Sequence, residues 1–250
     1  MSPPRPVALI TGASHRVGRA IALELASRGC DLILHARHTA TLAETHAAAE
    51  SLGARCTRLA ANLDDPALAE QLAADALAAS PRLDILIHNA SSYSATPLSS
   101  LAAEHALAHF RVNALAPLLL SRSLAPALAA SSMPGGGAIV ALTDIHALGR
   151  PRRDFAPYAM SKAALAQMVE SLARDLAPRV RVNAVAPGVV AFPSSGPEAS
   201  TDLQAAYLAR VPLARAGTPA DAAKAVAFLA LDAHYTTGTT LRLDGGRWLA

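Results

Sequence analysis

The chain has 250 residues, 52% hydrophobic and 16% charged, enough for one substantial core and too apolar for a disordered protein. Its 22 basic and 19 acidic residues leave a formal charge of +3 with no Lys/Arg run, so neither nucleic acid nor an acidic partner is indicated. No apolar run approaches the roughly 18–20 residues of a membrane helix, and MSPPRPVALI is too short in its apolar part for a secretory signal. The expectation is a soluble, cytoplasmic protein with no membrane partner. Two cysteines, Cys30 and Cys56, cannot make a disulfide scaffold and read as reduced, buried thiols.

Short apolar runs closed by turn signals predict strands at residues 7–11, 31–35, 55–60, 83–88, 138–142, 180–185 and 240–243. Ala/Leu-rich stretches with helical spacing predict helices at 17–27, 66–79, 101–131 (as two helices), 157–177 and 219–231. Pro66, Pro157 and Pro219 stand at or near helix starts, where proline is tolerated. Strands alternating with helices predict an α/β fold: one doubly wound, mostly parallel sheet of about seven strands, with helices on both faces. No linker divides the chain, so residues 1–250 read as a single domain. Residues 191–201 (AFPSSGPEAST) suit a lid or an ordinary surface loop, and a substrate loop is expected at about 189–208.

The first predicted strand runs into Thr11-Gly12-Ala13-Ser14-His15-Arg16-Val17-Gly18. A glycine after the strand allows a tight turn, and a second lets the helix start approach a ligand. Free N–H groups there bind a pyrophosphate, so Gly12, Ser14, His15, Arg16, Val17 and Gly18 are candidate cofactor residues. The second strand ends in His35-Ala36-Arg37-His38-Thr39. An NAD site places a carboxylate there for the ribose 2′-hydroxyl. None is present in this stretch, whereas Arg37, with His35, His38 and Thr39 as helpers, offers donors to a 2′-phosphate. That favours NADP(H) over NAD(H).

Tyr158 and Lys162 are four residues apart on a predicted helix and so share a face. A tyrosine is a neutral acid at pH 7 and can protonate a substrate as hydride arrives. A neighbouring ammonium would stabilise the tyrosinate, each unit of pKa depression being worth about 1.4 kcal/mol.

Together with Asn89-Ala90, Asn113, Asn183 through Pro187-Gly188, and the tail Thr237-Gly238 to Asp244-Gly245-Gly246, these motifs resemble the short-chain dehydrogenase/reductases over nearly the whole chain. The resemblance implies a seven-stranded Rossmann-type sheet and hydride transfer from a nicotinamide. It implies Tyr158 as the acid, Lys162 on the nicotinamide ribose and Asn113 positioning a relay water. It places Asn62, Leu63, Asn89, Ala90, Pro187 and Gly188 against the cofactor, and it implies a homotetramer or homodimer.

Four departures from the family pattern are informative. Arg16 replaces a third glycine, and Thr143-Asp144 stands where a catalytic serine is expected, with Asp144 favoured as its substitute. Ser91-Ser92-Tyr93 follows Asn89-Ala90, and Asn62 replaces an aspartate. The first three resemble the pteridine reductase branch, including dihydromonapterin reductase-like members. That resemblance implies a pterin substrate and NADPH, with Arg16, Ser91, Tyr93, Asp144 and Tyr158 touching the substrate. It also gives Arg16 and Ser91 a share in the cofactor phosphate. Tyr93 is one of eight Phe and Tyr residues in the chain, and its polar surroundings suit a stacking face better than core packing. Asp144 acts as an acid only if burial raises its pKa; otherwise it accepts a hydrogen bond.

Other candidates are weaker. His105 and His109 could suit a metal by spacing, but without a third ligand they read as a solvated helix face, and no metal site is expected. His146 and Arg150 could edge the pocket, and Trp248 reads as a packing or interface residue. The expected function is an NADPH-dependent pterin reductase. A carbonyl or 3-oxoacyl reductase and a non-catalytic NADP(H)-binding regulator are the alternatives.

Overall fold

The computed structural model describes residues 4–192 and 199–250. Each apolar run becomes a strand: β1 (Val7–Ile10), β2 (Asp31–Ala36), β3 (Cys56–Ala60), β4 (Ile85–His88), β5 (Gly137–Leu142), β6 (Val180–Pro187) and β7 (Thr240–Leu243). All pair in parallel in the order β3-β2-β1-β4-β5-β6-β7. Every residue of β1, β2, β4 and β5 is buried, which is why these strands read as near-continuous apolar runs and do not alternate.

Helices cover both faces. On one, Ile21 and Leu25 of α1 (Arg16–Ser27), Ala49 of α2 (Ala43–Ser51) and Val226 of α8 (Pro219–Ala227) pack against Ala8, Ile10 and Leu34. On the other, α3 (Pro66–Ala79), α5 (Ala116–Ala129) and α6 (Ala156–Asp175) supply Leu72, Leu120 and Leu165 against Val7, Leu9 and Ile139. Asp65 caps α3 by accepting from Ala67 N, with Pro66 at its start, and Thr218 with Asp221 forms a capping box on α8.

The segment expected as two helices is one helical run. It comprises α4 (Ala103–Phe110), a π-helical turn at Arg111–Leu115, and α5. The run is long and apolar enough to cross a membrane, but Leu120, Leu124 and Leu128 are fully buried against the sheet, as in a core helix. The π turn widens the helix by one residue and carries the fully buried Asn113.

Two helices were not predicted. The α2 sequence AETHAAAES buries only Thr45 and Ala49, so it lacks an apolar stripe. Helix α7 (Thr201–Leu208) buries no residue fully, and it occupies the end of the expected substrate loop. Of that loop, residues 193–198 lie outside the described residues. Cys30 is buried but Cys56 only partly, because β3 lies at the sheet edge; burial pushes the two thiols up to about 12 and about 11. The strand order reverses between β1 and β4, and a cleft is expected at the carboxyl ends of strands at such a reversal.

Candidate active site

A cleft of about 1250 Å³ opens there, and its wall includes most of the residues singled out in the sequence. Gly12 turns the chain at φ +67°, and a Cβ on it would sit 2.9 Å from Ala90 Cα. A Cβ on Gly18 would sit 2.0 Å from Gly12 O, so neither position takes a side chain. Asn89 Nδ2 clamps the turn by donating to the Thr11 and Gly12 carbonyls at 3.0 and 2.9 Å. Helix α1 starts at the cleft with no side-chain cap, leaving its first N–H groups for an anion. Ser14, His15 and Val17 line the same stretch. This cradle fits a dinucleotide pyrophosphate.

Arg16 explains one departure from the pattern. Its φ is +49°, the left-handed region that favours glycine, which is where the family's third glycine belongs. An arginine there costs about 1–2 kcal/mol of backbone strain. Its guanidinium spans the cleft to donate to Ala191 O at 2.8 Å.

At the end of β2, Arg37 is exposed on the cleft wall with Asn62 and Leu63 nearby along it. His35 is different. It is buried, accepts from Gly12 N at 3.4 Å and contacts Ala61 O at 3.1 Å, and burial pulls its pKa down to about 4. It is a neutral prop for the glycine turn and offers a phosphate no charged donor. His38 and Thr39 fall outside the cleft wall because the chain turns there into a 3-10 helix at Thr39–Leu42.

The candidate catalytic residues converge beyond β5. Thr143 Oγ1 donates to Val185 O at 3.1 Å, which turns it towards β6 and leaves Asp144 facing the cleft. Asp144 Oδ2 accepts from Tyr158 Oη at 2.8 Å, and Oδ1 accepts from His146 N at 2.7 Å. Burial, then the Asp144 charge, push the Tyr158 phenol well above its usual value. Lys162 is buried and donates to Leu142 O at 2.7 Å; burial pulls its ammonium down to about 8. The stabilised tyrosinate expected from Lys162 is therefore not what this arrangement favours, since the carboxylate beside Tyr158 opposes ionisation.

Asn113 does not line the cleft. Its amide accepts from Ser92 N at 2.8 Å and donates to Ser92 O and Ser161 Oγ, both at 2.9 Å. Its side chain forms a strut between Ser92 and α6. His109 is likewise not on a solvated face. It is buried, with its two ring nitrogens on Ser92 O and Ser94 Oγ, both at 3.2 Å, so α4 holds both neighbours of Tyr93. Its helix neighbour His105 is exposed.

Tyr93 lines the cleft and keeps 47% of its surface exposed. Its ring meets Tyr158 edge-on at 4.9 Å and Phe155 at 5.0 Å, and its hydroxyl accepts from Arg152 at 2.6 Å. Ser91, Pro187 and Gly188 complete the wall between cofactor loop and substrate end.

The chain is similar to known proteins over nearly its whole length. The family described as Enoyl-(Acyl carrier protein) reductase matches residues 12–247. The 3-oxoacyl-[acyl-carrier-protein] reductase of Escherichia coli (strain K12) is 35% identical, with 97% of each chain covered. A structure provisionally assigned as a short-chain alcohol dehydrogenase from Sinorhizobium meliloti 1021 superposes with a TM-score of 0.92 at 29% identity, covering 98% of this chain and 97% of that one. The chain belongs to the short-chain dehydrogenase/reductase family. A further relative of known structure is a blue fluorescent protein from a metagenomic library in complex with NADPH, with TM-score 0.86, 31% identity and 97% of each chain covered.

In this short-chain oxidoreductase Tyr158 and Lys162 lie one turn apart on α6, with the Asp144 carboxylate beside Tyr158. Sequence reading missed Arg152, Phe155, Tyr207, Arg210 and Arg247, all in or beside the cleft. The scarcity of aromatics was a usable signal for Phe155 and Tyr207. The arginines carried none, because they come from three separate segments.

Proposed function

We propose that the protein uses NADPH to reduce a C=N bond in a flat, polar heterocycle of the pterin class. The observation that carries this reading is the Asp144 carboxylate, 2.8 Å from the Tyr158 hydroxyl. A carbonyl reductase needs a hydrogen-bond donor at that position, because negative charge builds on the carbonyl oxygen. A carboxylate would repel that charge, whereas it suits a ring N–H, which donates to it. Tyr93 presents a half-exposed aromatic face to such a ring. NADPH, when bound, would supply the hydride.

This chain's residues then divide the work. Tyr158 carries the proton to the ring nitrogen next to the reduced carbon. Asp144 orients the Tyr158 hydroxyl and accepts from the ring. Lys162, positioned by Leu142 O, holds positive charge near the nicotinamide end. The choice of NADPH rests on Arg37 with no acid beside it in 36–39 and on the relative solved with NADPH.

A second reading, reduction of a ketone on an acyl chain, is favoured by the activity of the Escherichia coli relative, and the description of the matching family shares with it the acyl carrier. Following NADPH oxidation with dihydrobiopterin, dihydrofolate and acetoacetyl substrates separates the two. Pterin turnover that Tyr158→Phe lowers by about 10²–10⁴-fold is the expected result. Ketone turnover without pterin turnover would overturn it in favour of the second reading.

A further inference from the structure

Beyond Tyr158 the cleft has a basic end that hydride transfer does not require. Arg150, Arg210 and Arg247 all line it. They come from the segment after β5, the turn that follows α7 and the tail after β7. The tail is stapled in place. The Trp248 ring lies 2.9 Å from where a Cβ on Gly149 would be, and Arg150 donates to Trp248 O at 2.6 Å. This contact brings Arg247 under Tyr207, with its guanidinium 5.6 Å from the ring centroid.

The three arginines have poor local compensation. Arg247 is 6% exposed, yet its Nε is buried with no hydrogen-bond partner among the described residues. Among the described residues its side-chain hydrogen bond goes to Ala250 O at 3.0 Å. Arg210, among the described residues, donates only to Ala206 O, one turn back. Among the described residues, none of the three pairs with an Asp or Glu. Asp244, the nearest acid in the tail, is occupied by Gly246 N and Trp248 N at 3.0 and 2.8 Å. Burial, then the charges of Arg210 and Arg150, pull the Arg247 guanidinium below its usual value, against the opposing charge of Asp244. Three cations set against the Asp244 charge leave a positive balance among the described residues, which raises the local concentration of anions.

This cluster is not the cofactor phosphate site. It sits on the β5–β7 side of the sheet, whereas Arg37 and the glycine turn sit at β2 and β1. We propose that Arg150, Arg210 and Arg247 form a subsite for an anionic group, a carboxylate or a phosphate ester, at the far end of the substrate. The inference deepens the pterin reading and, for that substrate, rests on it: the pterin would carry a charged tail, as dihydrofolate does, in place of a short neutral chain.

The test uses two matched pairs: dihydrofolate against dihydrobiopterin, and acetoacetyl-phosphopantetheine against acetoacetyl-pantetheine. For each, kcat/KM with NADPH and calorimetric binding to the NADP⁺-loaded protein are measured, in the parent, Arg210→Gln and Arg247→Gln. The expected result is a preference of at least about tenfold for the charged member of a pair, falling most of the way to parity in both variants; each lost charge-assisted bond is worth about that factor. Circular dichroism and the NADPH affinity of each variant report whether it folds, and Arg210→Gln, at an exposed position, stands in if Arg247→Gln does not. A charged preference confined to the ketone pair, with no pterin bound or turned over, supports the subsite and removes the pterin reading. Equal binding and turnover within both pairs, or a preference that survives in the folded variants, overturns the subsite and leaves the pterin reading to its own assay.

Discussion

The Tyr158 hydroxyl points its proton at Asp144 Oδ2, 2.8 Å away, so the acid of this site is held by an anion. The same anion raises the pKa of both Tyr158 and Lys162. The proposed reaction requires the protonated phenol and the ammonium, and the lower of the two, Lys162 at about 8, sets the alkaline limit. Activity should therefore be present below about pH 8 and fall as pH rises through that value. In Asp144→Asn both groups lose a stabilising negative charge, so the fall should move to lower pH. A profile of kcat/KM from pH 6 to 10 checks this, and an unchanged or upward-moved limb would refute it.

Arg37 stands at the end of β2 with no carboxylate in 36–39. Replacing it by alanine removes charge-assisted bonds worth about 1.5–3 kcal/mol. The preference for NADPH over NADH should drop by about 10- to 150-fold, mainly through KM for NADPH. Steady-state kinetics with both cofactors measures it; a parent enzyme that already prefers NADH contradicts the assignment.

Arg16 occupies a left-handed backbone position. Arg16→Gly should relieve about 1 kcal/mol of strain, raising the melting temperature of the ligand-free protein by about 2–4 °C. It should also weaken cofactor or substrate binding, because the guanidinium that reaches Ala191 O is gone. Thermal unfolding beside NADPH titration reads both effects. A variant that is less stable than the parent would show that the cross-cleft bond outweighs the strain.

His109 ties down Ser92 and Ser94 on either side of Tyr93. His109→Ala releases that segment and leaves Tyr93 free to leave its edge-on contact with Tyr158. KM for the substrate should rise several-fold while KM for NADPH stays near the parental value. Equal changes in both would mean a general loss of structure. His109→Gln, which can still bridge, should recover part of the loss.

The order of apolar runs and turns sufficed for the sheet, because strands buried on both faces need near-continuous apolar sequence and parallel neighbours need a crossover between them. The glycine turn, the Tyr158/Lys162 spacing and the place of Arg37 after β2 were legible for a related reason. Each is local, a few residues whose geometry follows from one turn or one helix. Helices α2 and α7 were not legible, since neither carries an apolar stripe. The tertiary structure alone decided what long-range contacts make of single residues. Thr143 turns to Val185, so Asp144 faces Tyr158. Asn113 becomes a strut, His35 a neutral prop, and His109 a buried clamp. Three arginines far apart in sequence meet at one wall. A hydrogen bond or an uncompensated charge is set by what packing brings within a few ångströms, and no spacing along the chain records that distance.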